Sequence, residues 1–149
     1  MNISVDKRAP VFASSQITIE STIDNVWKTL TELKQWPNWQ SSVTEVNVNE
    51  PVNEGTEFTW KADGIVFKSK IHTMKPRAMF GWTGKTIGAY AIHNWQFTEQ
   101  DDVVIVNVEE SLQGVLPKLL RKNFQESLRK GIDKNLNELK AASESKSKV

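Results

Sequence analysis

Apolar and polar residues alternate along most of the chain up to residue 112; beyond it the apolar positions switch to a four-residue spacing. Alternation predicts strands with one buried face, and the wider spacing predicts a helix. Over 11–20, Ile17 and Ile19 face one way and Thr18 and Glu20 the other, which predicts a half-buried strand. Ser21 or Thr22 can then cap a helix, with Asp24 in its first turn. Ile23, Val26, Trp27, Leu30 and Leu33 recur at helical spacing until Pro37 interrupts them within Trp36-Pro37-Asn38-Trp39. Six further strands are predicted over 43–49, 56–62, 65–74, 79–84, 89–99 and 103–112. Turn chemistry separates them at Asn49 to Gly55, Asp63-Gly64, Lys75-Pro76-Arg77 and Asp101-Asp102.

In the last segment, Leu116, Leu120, Phe124, Leu128, Ile132, Leu136 and Leu139 form one stripe, and Lys118, Arg121, Lys122, Arg129, Lys130 and Lys134 lie off it. The spacing predicts an amphipathic helix of about 25 residues, nearly 40 Å long. Only a strongly curved antiparallel sheet wrapped around such a helix would bury its stripe. The predicted fold is therefore α+β: one strand, short helices, six more strands, long helix, with a sheet of about seven strands.

Composition narrows the function classes. The 149 residues carry a net charge of +1, so nothing in the balance draws the chain to nucleic acid. The absence of cysteine excludes disulfides and thiolate chemistry and is consistent with a cytoplasmic protein. Residues 1–10 contain no apolar run and are expected as an N-terminal tail; residues 143–149, small and charged, are expected as a disordered C-terminal tail. The domain between them spans 11–142. No run is apolar enough for stable membrane insertion. Six tryptophans stand beside six phenylalanines and one tyrosine. Such a surplus of indole suits a cavity wall or a core of large side chains.

On each strand the inward face is taken opposite the charged residues. It selects Phe58 and Trp60, then Phe67, Ser69 and Ile71, then Phe80 and Trp82, then His93, Trp95 and Phe97. Pairing Thr98 with Val103 sets His93 opposite Val108, with Glu110 diagonal to it; a slip by one residue selects Glu109 instead. The face carrying Val104, Val106 and Val108 favours Glu110. His72 shares a face with Lys68 and Lys70, so it is expected to meet solvent.

The order of elements resembles the START-like (SRPBCC) superfamily with its helix-grip fold, and within it the polyketide cyclase/dehydrase-like branch. The resemblance runs over about residues 11–142. It rests on Ile23-Asp24-Asn25-Val26-Trp27, Trp36-Pro37-Asn38-Trp39, Gly55-Thr56-Glu57-Phe58, Phe80-Gly81-Trp82, His93-Asn94-Trp95-Gln96-Phe97 and Glu109-Glu110-Ser111-Leu112-Gln113-Gly114. It implies a deep apolar cavity between sheet and long helix, with lipids, sterols, polyketides or hormones as ligands and cyclisation in some members. The helix wall of that cavity would present Leu120, Phe124 and Leu128, opposite the inward strand residues that include Val106, Val108 and Glu110.

His93 and Glu110 are the one inward ionisable pair the pattern assembles. They can anchor a ligand's hydroxyl or carbonyl, support proton transfer, or simply form a satisfied buried histidine beside a rim glutamate. Trp36 and Trp39 can cap the cavity mouth or staple the short helices to the sheet. No metal-ligand spacing, phosphate loop or nucleophile elbow occurs, so no metal or other cofactor is expected. The expected function is binding of a small hydrophobic ligand. A cyclase/dehydratase-like enzyme and a protein-interaction module are the alternatives, and a homodimer is left open.

Overall fold

Local chemistry accounts for the elements seen in a computed structural model that describes residues 2–147. Strand β1 (Val11–Ile19) leads to α1 (Ile23–Thr31), whose first turn is closed by the Asn25 N–H donating to Thr22 Oγ1 at 3.1 Å. A single 3₁₀ turn, Leu33–Gln35, precedes α2 (Trp36–Trp39). Pro37 sits in the first turn of α2, where its missing N–H costs nothing, so it starts this helical turn. Six strands follow: β2 (Val43–Val48), β3 (Glu57–Ala62), β4 (Ile65–Lys75), β5 (Met79–Thr86), β6 (Ala89–Gln100) and β7 (Val103–Gln113). They join β1 in one curved antiparallel sheet of order β1-β7-β6-β5-β4-β3-β2. Then come α3 (Val115–Leu119) and α4 (Arg121–Ser147). Helix α4 packs mainly along β1, with further contacts to α1, α2 and β7. This is the expected α+β helix-grip arrangement, with one hydrophobic core between the concave sheet face and the helices.

Four expectations need correction. The β6–β7 hairpin is tighter than expected. Asp101 adopts φ 55°, which permits a two-residue turn, and Gln100 pairs with Val103. The register moves by two residues, so the inward face is kept, but His93 now stands directly opposite Glu110 and Trp95 opposite Val108. The terminal stripe does not form one continuous helix either. The backbone breaks at Leu120, between α3 and α4, and leaves Leu116 and Leu120 36% and 48% exposed. Leu128, Ile132, Leu136 and Leu139 are buried, and Phe124 is half-buried.

The C-terminal stretch from residue 143 is helix rather than tail as far as Ser147; Lys148 and Val149 lie outside the described residues. Ser143 is fully buried, and its carbonyl accepts from Asn25 Nδ2 at 2.7 Å. Glu144 Oε1 accepts the Glu20 N–H at 3.0 Å. Small residues at 141–143 allow this close approach to the start of α1.

His72 is not solvent-facing. It lies on the outer face with Lys68 and Lys70, as parity expects, but a bulge places His72 and Thr73 together opposite Gly81. A Cβ at position 81 would stand 2.5 Å from Asn94 Oδ1 and 2.6 Å from His72 Cε1, so the glycine makes the room. Residues 2–10 contain no helix or strand, yet they cross this outer face as a strap. The Ile3 N–H donates to His72 Nδ1 at 3.1 Å, and Asn94 Nδ2 donates to the Ile3 carbonyl at 2.8 Å. The Asp6 N–H donates to Ser111 Oγ at 3.1 Å, and Gln113 Nε2 donates to Asp6 Oδ2 at 2.9 Å. With Nδ1 accepting, the imidazole is held as the Nε2–H tautomer and donates to Asn94 Oδ1 at 2.8 Å. Burial holds the His72 pKa below its ordinary 6.5, against the opposing bond to Asn94.

Candidate functional site

The concave face is built from alternate strand positions, and the ladder registers place them in rows. Trp60 lies opposite Phe67, and the two rings stack at 4.8 Å. Trp60 Nε1 donates to Ser69 Oγ at 3.0 Å, which satisfies an indole and a buried hydroxyl together. One row runs across four strands: Trp82, His93, Glu110 and Ala13. The row continues to Ile71 on β4, and the rows on either side of it hold Phe58, Phe80, Trp95, Phe97, Val106 and Val108, all buried like Ile71.

Two indoles from the helices fill the space above this pavement. Trp36 of α2 is 1% exposed and meets Phe58, Trp60 and Trp82 at centroid distances of 5.9, 5.4 and 5.3 Å. Trp27 of α1 packs edge-on against Phe80 and Phe97, at 6.0 and 5.5 Å. Most of the residues expected to line a deep cavity are therefore core. Trp36 serves as a staple, while Trp39 is half-buried against the same core. The less covered inward residues are Trp60, Phe67, Glu110 and Phe124, with Leu120 about half exposed. The first three lie towards the end of the sheet that carries the turns at Asp63-Gly64 and Ile87-Gly88, the latter in contact with α3.

Near that end, His93 Nδ1 stands 2.6 Å from Glu110 Oε1, with the side chains only 5% and 15% exposed. The imidazole lies flat on Trp82, with centroids 4.5 Å apart and planes 6° from parallel, and Trp95 flanks it at 5.4 Å. A carboxylate can only accept, so Nδ1 carries a proton, and in the neutral tautomer Nε2 then presents a lone pair. Nε2 is buried and has no hydrogen-bond partner among the described residues. Leaving such a group unpaired costs about 1–3 kcal/mol. Glu109 points to the opposite face, where it lines a trough of about 640 Å³ with Gln16, Asn94, Gln96 and Asn107 under the N-terminal strap. That trough is polar and does not reach His93, so it does not suit an apolar ligand. No group of three His, Asp or Glu among the described residues is placed to hold a metal ion. None of the described helices is long and apolar enough to cross a membrane.

The staple reading anticipated Trp36, but sequence reasoning missed the part of Trp27 in closing this face and did not specify the strands that either indole meets. Their pairing with distant strands has no local signature; only the unusual tryptophan count hinted at it.

The model of one family, described as polyketide cyclase/dehydrase and lipid transport, matches residues 11–144. Among solved structures, a hypothetical protein from Helicobacter pylori superposes with a TM-score of 0.82 at 18% identity, covering 96% of this chain and 98% of its own. The di-domain aromatase/cyclase StfQ of the steffimycin biosynthetic pathway gives 0.79 at 18% identity, over 93% of this chain and 52% of its own. A START superfamily protein from Mycobacterium smegmatis gives 0.72 at 12% identity, over 90% and 97%. At these identities the likeness shows the fold alone. No protein of curated function matches the chain in sequence.

Proposed function

Because the chain belongs to the polyketide cyclase/dehydrase and lipid transport family, we propose that it binds a small hydrophobic ligand on its concave face and fixes the ligand's one polar group at His93 Nε2. The observation that carries this reading is the partnerless Nε2, buried between two indoles while Glu110 holds the other ring nitrogen. Buried polar atoms are nearly always paired in native proteins, and one left open on an apolar wall is a ready anchor. The lone pair selects a donor, so a hydroxylated apolar molecule, aromatic or lipid-like, suits the site. Access runs from the less covered end and requires Trp60, Phe67 and Phe124 to swing aside.

The contact at 2.6 Å between Nδ1 and the Glu110 carboxylate favours a second reading, acid–base catalysis of a cyclisation. Nε2 would take a proton from a carbon between two carbonyls, and the carboxylate would stabilise the imidazolium so formed. The carbanion would attack a ketone carbonyl, the imidazolium would protonate the alkoxide so formed, and Nε2 would then take a second proton from the same carbon and pass it to the departing hydroxyl, releasing water.

Native mass spectrometry tests both readings. Protein purified from the cells that make it is expected to carry a stoichiometric small-molecule adduct that organic solvent removes; a bare chain throughout contradicts the binding reading. With a linear poly-β-ketone added, recovery of the compound unchanged supports a binder. Recovery of a cyclised compound lighter by one water supports the enzyme.

A further inference from the structure

One end of the molecule exposes a cluster of large apolar side chains that the core does not use. Ile87, in the β5–β6 turn, is 90% exposed, and Leu119 of α3 is 73% exposed. They belong to one surface because the turn and the short helix are tied together. The Leu116 N–H donates to the Gly88 carbonyl at 3.1 Å, and a Cβ at Gly88 would stand 2.8 Å from Leu116 Cγ. Val66 is 55% exposed and lies on the same rim; extending the pairing of Lys68 with Lys85 by two residues brings it level with Ile87.

Charge completes the picture. Residues 114–123 contain Lys118, Arg121 and Lys122 and no acidic residue; Lys85 is the one charged residue of the turn beside them. All four cations are exposed, and none takes part in an ion pair among the described residues. A chain with a net charge of +1 thus gathers unpaired cations around its most apolar tip.

We propose that this tip, formed by the β5–β6 turn and α3, docks the protein reversibly on the surface of an anionic lipid bilayer. The side chains stand well out of the surface, which suits immersion among lipid headgroups. The flanking cations complement anionic headgroups, each contributing about fivefold to the affinity near such a surface. The docking needs no ligand, so it stands apart from the reading of His93.

Sedimentation with phosphatidylcholine vesicles, with and without phosphatidylglycerol, tests the proposal. Binding is expected only where phosphatidylglycerol is present, and it should weaken as salt rises. Ile87→Asp combined with Leu119→Asp should reduce it at least about tenfold, and Lys122→Glu about fivefold. These side chains are exposed, so an unchanged thermal unfolding midpoint checks that the fold survives. Absence of binding to the anionic vesicles, or binding that the double variant retains, overturns the proposal. So does light scattering that shows a dimer lost in the double variant while vesicles stay unbound; the tip would then meet a second copy.

Discussion

Trp36→Ala is expected to cost about 3–5 kcal/mol of folding stability, the range for removing a large buried aromatic side chain. Trp36 is 1% exposed and touches rings from two different strands, β3 and β5. Such a site cannot collapse around the vacancy, because the ladder fixes its walls. The substitution also removes the bond from Trp36 Nε1 to the buried Leu30 carbonyl at 2.8 Å. Against a typical total of about 5–15 kcal/mol, this loss brings the protein close to unfolding at ordinary temperature. Urea denaturation measures it. A loss below about 1 kcal/mol would mean that Trp36 does not close the concave face.

Ile132→Ala is expected to cost about 2–5 kcal/mol, and Leu120→Ala to stay within about 0.5 kcal/mol. Both positions lie on the same four-residue stripe. Ile132 is 1% exposed in the core, whereas Leu120 is 48% exposed at the break between α3 and α4. Equal losses at the two positions would show that α3 and α4 dock as one continuous helix.

That contrast shows what the pattern of residues could carry. Periodicity records which side of an element is apolar, and so the strands, the inward face and the α+β order were legible. It does not record where a helix stops following the core, and the stripe runs unbroken through Leu120. Strand parity survives a two-residue shift. The inward residues of β6 and β7, and the His93–Glu110 pair, were therefore assigned correctly while the residue directly across the ladder from His93 was not, since the tight turn at Asp101 lies outside the alternating pattern. Burial of His72 depends on a bulge opposite Gly81 and on a strap about seventy residues away in sequence, as the Ile3 to His72 bond shows. Neither leaves a periodic trace. The composition of residues 143–149 suggested fraying, yet the small residues at 141–143 are what the close contact with Asn25 needs. The aromatic wall was readable from its spacing. A staple was readable at Trp36; that Trp27 would also fill the space above the wall was not, because this depends on how α1 lies across the sheet.

The central claim is that His93 Nε2 anchors the polar group of a hydrophobic ligand, and paired probes test it most directly. Equilibrium dialysis with 2-naphthol and with naphthalene compares two molecules that differ by one hydroxyl. The wild-type protein is expected to bind 2-naphthol about fivefold to tenfold more tightly, the worth of one net hydrogen bond. The control replaces both partners, His93→Phe with Glu110→Leu, so that neither is left buried alone. It should bind the two probes equally. If the wild type binds neither probe, or binds both with equal affinity, His93 Nε2 is not the anchor.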